Sequence, residues 1–390
     1  MSRSQRRVEA RRMQPLVLTL LGLLSAATLA TCGDSESIEG ENDAAAVTTA
    51  KAEGEPSGEL VISNWPFYID KQTIPDFEQE TGVSVKYIEE INSYEELFGK
   101  LRPQLQQGDS GGRSLLVASD WLAKKMYDLG YLQKLDQEAL APALENITPA
   151  LKPPSSDPQR EFSIPWASGM TGLVVNSAEA PDITSVNDLF DPQYKGRVVM
   201  ISELRETIPL LLKAEGIDPE EATEEDWLAA IDKIKQGLDS GQIRSVGGNE
   251  YTSDMARGDA VAAIAWGGDA IQLQADDPDI EWRMPDEGCI LWSDNWVVPV
   301  GAPNPTAAYE FINYTYEPEN QAQIVAYVSS VTPVAGVKEI FEKQDPEVAK
   351  SELIFPSEEY TADCSPTLSP PGGPEAERRI EEAWSTAQTG

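Results

Sequence analysis

Five aromatic side chains and three carboxylates carry the chemistry that this sequence offers. Trp65 and Tyr68 fall in Asn64-Trp65-Pro66-Phe67-Tyr68, directly after the apolar run that starts at Leu60. Trp121 closes Ser119-Asp120-Trp121 after a second apolar run, Ser114 to Ala118, and Trp266 follows a third, Ala260 to Ala265. Trp292 and Asp294 are two residues apart inside Ile290 to Val298, and Glu203 and Glu206 follow Arg197 to Ile201. A cation over an aromatic face gains about 0.5 to 2 kcal/mol, and a desolvated carboxylate is stable when an ammonium group answers it. The set therefore suits a thin alkyl chain bearing amino groups, with Trp65, Trp121, Trp266 and Trp292 as walls and Glu203, Glu206 and Asp294 as anchors. Each residue also has a plainer role. Glu203 and Glu206 can favour the start of the following helix, and Trp266 can be core. Trp292 and Asp294, two apart on a strand, share one face, which Trp296 continues as wall or as packing.

The elements that must position these residues alternate. Leu60–Asn64 reads as a buried strand, Lys71–Glu80 as a helix closed by Thr81-Gly82, and Val83–Tyr87 as a second strand. Ser93 and Glu96 match a capping box ahead of Leu97, Leu101 and Leu105 on one helical face. Ser114–Ala118 is a third strand and Trp121–Leu129 the next helix. A second series begins near Gly169, with strands at Gly172–Asn176, Arg197–Ile201 and Ala260–Ala265 and an amphipathic helix from Glu225 to Leu238. Ile290–Val298 runs back toward the first series, and helices follow near Pro305–Tyr316, Pro318–Tyr327 and Glu375–Trp384. This β-α order predicts mainly parallel sheets flanked by helices, which bind ligands beyond the carboxyl ends of their strands. The turns holding Trp65 and Trp121 occupy equivalent places in that plan.

Composition narrows the options. The chain has 390 residues, nine Trp and no His, so no Ser-His-Asp set and no His-ligated metal site exists; no metal and no cofactor is expected. Its net charge of −36 opposes nucleic-acid binding. That charge reads first as a solvated acidic surface and second as steering of cations, which salt limits to about 10 Å. Cys289 and Cys364 pair in an oxidising compartment or stand as two buried thiols. Asn146 and Asn313 sit in glycosylation sequons without a role here.

The amino terminus carries a separate signal. Arg3, Arg6, Arg7, Arg11 and Arg12 precede an apolar run from Leu16 to Ala30, too short for a bilayer core of about 30 Å and suited to a signal peptide, residues 1–31. Leu29-Ala30-Thr31-Cys32 resembles a lipobox, with Thr31 as its departure, which makes Cys32 the expected lipidation site. Residues 32–57 are small, polar and acidic and are expected to form a disordered tether. The roughly 330 residues that remain predict two lobes.

Asn64-Trp65 with Tyr68, Ser119-Asp120-Trp121 with Lys125-Met126, Ser163-Ile164-Pro165-Trp166, Tyr194-Lys195-Gly196, Arg205-Glu206, Ala265-Trp266-Gly267 and Trp292-Ser293-Asp294 with Pro299 recur in order over about 280 residues. Together they resemble the bacterial spermidine/putrescine-binding proteins of ABC transporters. The resemblance implies a two-lobed periplasmic-binding fold of type II that closes around a polyamine without catalysis and delivers it to a membrane permease. Lobe 1 is expected from residues 58–168 plus about 292–334, lobe 2 from residues 169–291 plus about 335–390. The implied ligand residues are Trp65, Tyr68, Ser119, Trp121, Glu203, Glu206, Trp266, Trp292 and Asp294. Pro66 and Ser330 depart from the family pattern, and its amide near the C-terminus finds no counterpart in Tyr360–Pro371. The expected protein is thus an exported, lipid-anchored monomer that binds no nucleic acid. The alternatives are a binding protein for another amine, a zwitterion or a sugar, one that serves a sensor, and an exported glycosidase using Glu203 with Glu206 or Asp294.

Overall fold

The computed structural model describes residues 47–389 apart from 150, 152 and 155. The signal segment, the lipidation expected at Cys32 and the tether up to residue 46 lie outside the described residues. No helix among the described residues is long and apolar enough to cross a membrane.

The first β-α series forms as expected: β1 (Glu59–Asn64), α1 (Thr73–Thr81), β2 (Ser84–Glu89), α2 (Tyr94–Leu105), β3 (Leu115–Ser119) and α3 (Asp120–Asp128). β1 lies parallel between β2 and β3. At the start of α2 the Ser93 side chain accepts the Glu96 N–H at 3.1 Å, and the helix buries Leu97, Leu101 and Leu105, the face its spacing predicts. A short α4 (Ala141–Glu145) leads to β4 (Ile164–Asn176), a continuous strand of 13 residues. Only its apolar end, Gly172–Asn176, is readable as a strand from sequence, because Ser168 and Gly169 interrupt the hydrophobic run.

The second series comprises β5 (Val198–Ile201), α5 (Leu204–Ala214), α6 (Glu224–Ser240), β6 (Ile243–Gly247), α7 (Tyr251–Ala256), β7 (Ala262–Trp266), α8 (Gly267–Asp276) and β8 (Ile280–Arg283). Here β5 lies parallel between β6 and β7. β9 (Ile290–Val297) then returns antiparallel to β4, from Thr171↔Ile290 to Ile164↔Trp296, and joins β3 at its far end. α9 (Pro305–Thr315), α10 (Pro318–Val328), α11 (Val337–Gln344), β10 (Ser365–Pro366) and α12 (Pro374–Thr389) complete the chain.

Two hydrophobic cores result. Phe77, Leu97, Trp166, Trp296 and Phe311 lie in the first; Val174, Ile201, Trp227, Ile234 and Trp384 lie in the second. Burying each such side chain contributes about 1.5 to 3 kcal/mol. Trp296 is fully buried, so it is packing and not wall. β4 and β9 are the strands common to both cores, and their side-by-side passage carries the chain between the lobes.

Two boundaries differ from the sequence reading. Val337, Phe341, Ala349 and Ile354 pack into the first core, so the chain returns to the second lobe later than residue 335. Cys364 is bonded to Cys289 at the start of β9, and β10 then pairs with β9 ahead of α12. The described end of the tether is also attached to the body. Ala50 N–H donates to Lys134 O at 2.9 Å, Tyr309 OH donates to Ala50 O at 2.6 Å, and Lys51 pairs with Asp136 at 3.0 Å. Two of the three use the Ala50 backbone, and hydropathy does not report them.

Gly169 shows how tightly the crossing strands are fitted. A Cβ on it would lie 2.3 Å from the Trp292 ring on the facing strand. Gly169→Ala is expected to cost about 1 to 3 kcal/mol through this overlap, measured as a lower midpoint in chemical denaturation with the circular-dichroism spectrum unchanged.

Candidate functional site

A cleft of about 690 Å³, mouth included, opens between the two cores. Lobe 1 contributes Trp65, Pro66, Phe67 and Tyr68 from the turn after β1, Tyr94 from α2, and Ser329 and Ser330 after α10. The crossing strands contribute Gly169 and Met170 from β4 and Trp292 and Asp294 from β9. Glu203 and Glu206 enter at the start of α5, Trp266 and Asp269 at the junction of β7 with α8, and Leu353 from the later segment. Seven of the nine expected ligand residues therefore line one space.

The aromatic walls meet across it. Trp65 touches Trp266 edge-on with ring centres 5.6 Å apart, and Tyr94 meets Trp65 at 5.2 Å. Tyr68 lies 6.4 Å from Trp292. Such edge contacts are favourable for quadrupolar rings, and they fix the ring faces that border the cleft. Phe67 is the exception. It is 56 % exposed at the mouth and held at φ +60°, a left-handed conformation that a bulky side chain seldom adopts.

The carboxylates are oriented by neutral donors. Asp294 accepts the Tyr94 hydroxyl on Oδ1 at 2.5 Å and the Tyr68 hydroxyl on Oδ2 at 2.9 Å. On Oε2, Glu206 accepts Trp266 Nε1 at 2.9 Å and the Thr171 hydroxyl. Glu203 accepts the Tyr94 backbone N–H at 3.2 Å and so reaches the first turn of α2 in the other lobe. Its plainer role, at a helix N-terminus, is thus real but concerns a different helix. Asp269 accepts the Tyr251 hydroxyl and, at 3.4 Å, Asn249 Nδ2.

Among the described residues, no Lys or Arg lines the cleft. Burial pushes Asp294 up to about 7, against the pull of its two tyrosines. For Glu206 burial outweighs the Thr171 and Trp266 hydrogen bonds and raises it to about 8, helped by repulsion from Asp294. Glu203 is raised well above its ordinary value by burial and then by Glu95 and Glu206. Asp269 is raised to about 6 by burial alone. Glu203, Glu206 and Asp294 thus form one mutually repelling group, and Asp269, held by Tyr251 and Asn249 at the start of α8, is a further raised acid of the lining.

Ser119 and Trp121 do not line the cleft. Ser119 is the ladder partner of Asp294 and is buried beside it. Trp121 lies under the Arg205 guanidinium at 3.5 Å, with Tyr94 between it and the cleft wall. The turn after β3 is therefore a support, and Tyr94 takes the place expected of Trp121. Tyr94 is the first residue of α2 after the cap Ser93, a position from which the sequence alone predicts only packing. Asp269 was legible only as the end of Trp266-Gly267-Gly268-Asp269.

The chain matches the family of bacterial extracellular solute-binding proteins over residues 72–356. It is 27 % identical over 320 residues to the spermidine/putrescine-binding periplasmic protein of Escherichia coli, covering 81 % of this chain and 88 % of that one. It is also 27 % identical over 357 residues to the putrescine-binding periplasmic protein PotF of the same organism, covering 85 % and 91 %. Among solved structures, the spermidine/putrescine ABC transporter substrate-binding protein PotD of Streptococcus pneumoniae superposes with a TM-score of 0.67 at 26 % identity, over 85 % of this chain and 99 % of that one.

The raised carboxylates set a pH dependence. Below about 4 they are protonated in the folded and unfolded chain alike. Between there and about 8 the folded state holds more protons, so stability falls as pH rises, on the order of 1.4 kcal/mol per unit for each such group. Thermal melting between pH 5 and pH 8 is expected to show this fall, and Glu206→Gln to flatten it; an unchanged slope in the variant would remove Glu206 as its source.

With its two cores, its paired crossing strands and the cleft between them, the chain belongs to the bacterial extracellular solute-binding protein family.

Proposed function

We propose that this chain captures a polyamine of the putrescine or spermidine type in the cleft and presents it to the permease of an ABC transporter. The observation that carries this reading is the pairing of an aromatic box with carboxylates that no Lys or Arg of the cleft neutralises. A carboxylate whose named protein partners are neutral hydroxyl, indole or amide donors has no counter-charge beside it and stays available to a cation that arrives from outside. Acids carried into the lining by three elements, α5, α8 and β9, favour a ligand with more than one ammonium group and methylenes between. Named relatives that bind spermidine and putrescine support the same choice. Neutral isosteres are rejected because they would leave buried acids unanswered.

In this reading Asp294 and Glu206 receive one end of the ligand, Asp269 the other, and Trp65, Tyr68, Trp266 and Trp292 hold the alkyl chain. Glu203 braces the first turn of α2 through the Tyr94 N–H. The exported chain is held at the membrane by a lipid on Cys32 and works as a monomer, consistent with the leader Arg3–Ala30 and the acidic segment after it.

Calorimetry with putrescine, spermidine and spermine tests the proposal on the chain from residue 33. Binding of at least one is expected, and Asp294→Asn is expected to weaken it at least tenfold, about 1.4 kcal/mol. Absence of heat with all three amines would contradict the polyamine reading, and an unchanged affinity in Asp294→Asn would remove Asp294 from the site.

A further inference from the structure

Arg205 stands between Glu203 and Glu206 in sequence but faces away from the cleft. It is 1 % exposed, and its guanidinium is shared between the lobes. Within its own lobe Nη2 pairs with Glu377 at 2.6 Å and Glu381 at 2.9 Å on α12, whose Ile380 and Trp384 lie in the second core. Across the boundary Nη1 pairs with Glu95 on α2, and the planar group stacks on Trp121 of α3 at 3.5 Å. Lys125, one turn beyond Trp121, crosses the other way and reaches Glu377 and Glu381 at 3.3 Å each. Both α2 and α3 are anchored in the first core through Leu97, Leu101, Leu122 and Met126.

We infer that Arg205 is a positioning residue, the centre of a clasp with Glu95, Trp121 and Lys125 that holds part of the population closed before ligand arrives. Three features make it a reversible clasp and not a fixed joint. When the lobes part, Glu377 and Glu381 travel with Arg205, so the buried guanidinium is never left without a counter-charge. The closed cluster is incompletely satisfied, since Arg205 Nε and Glu95 Oε2 are buried without a hydrogen-bond partner among the described residues. Its cross-lobe members sit at the edge, where Glu95 and Lys125 are 20 % and 27 % exposed and regain water on opening.

The clasp is geared to the cleft through α2. Glu95 follows Tyr94, whose N–H caps onto Glu203 and whose hydroxyl holds Asp294. The movement that closes the clasp therefore also assembles the acidic group. Apparent affinity scales with the fraction already closed, so Arg205 raises affinity without touching the ligand. This rests on the cleft being the binding site, and not on which amine fills it.

Small-angle scattering of the ligand-free chain from residue 33, unaltered and with Glu95→Gln or Lys125→Gln, tests the clasp; both substitutions lie in the partly exposed half and leave Arg205 paired. A larger radius of gyration is expected in each variant, returning to the unaltered value with saturating spermidine, whose apparent Kd rises about 5- to 20-fold. Equal ligand-free radii in all three proteins would overturn the clasp, as would a weakened Kd without a change in ligand-free radius. Larger radii in the variants, with spermidine failing to bind even the unaltered chain, would uphold the clasp and overturn the polyamine reading alone.

Discussion

Burying a carboxylate is expensive unless a counter-charge or a set of donors meets it, and this chain buries three around one cleft: Glu203 at 2 %, Glu206 at 6 % and Asp294 at 6 % exposure. Much of the surrounding architecture answers that constraint. Tyr68 and Tyr94 are spent on Asp294, and Trp266 and Thr171 on Glu206. Neutral donors orient these oxygens but leave the charge uncompensated, so burial and mutual repulsion keep the acids above their ordinary range. The same arrangement makes a multiply charged cation the ligand that restores balance and makes the protonated cleft the more stable state of the folded chain at low pH.

The antiparallel passage of β4 and β9 turns this local chemistry into a two-lobed device. It places Trp292 and Asp294 on the strand shared by both cores, against Gly169 and Ala167 of its partner. Residues of the two lobes are thereby brought to the same acids: Tyr68 and Tyr94 from one side, Glu203 and Glu206 from the other. On the outer side of α5, Arg205 repeats the logic with opposite sign, a buried cation shared among Glu95, Glu377 and Glu381. A run of four residues, Glu203 to Glu206, thus faces the ligand with its acids and the lobe boundary with its base.

Much of this was legible in the sequence, for reasons that can be named. Periodicity marks β1, α2, β3 and α6 because each buries one face or both, and the shared strand face of Trp292 and Asp294 follows from the two-residue repeat. The resemblance to polyamine-binding proteins supplied the remaining cleft positions. Trp121 misled because an aromatic turn at a strand end looks the same whether it faces a ligand or a guanidinium, and only the fold brings Arg205 over it. Tyr94 was hidden by its place in a helix's first turn, and Asp269 by the lack of any local signal for which way a helix start faces. The attachment of residues 48–53 and the late return of the chain after Ile354 depend on contacts across large sequence separations, which composition does not encode.

The central claim is that a cation entering the cleft replaces protons on buried acids. Titrating the chain with spermidine at pH 7 in two buffers of different ionisation enthalpy measures that exchange directly. Because Glu206 is raised to about 8 and Asp294 to about 7, binding is predicted to release protons, and release is predicted to diminish above pH 9, where both acids are already ionised. Binding with no proton exchange, or with uptake at pH 7, would contradict the account.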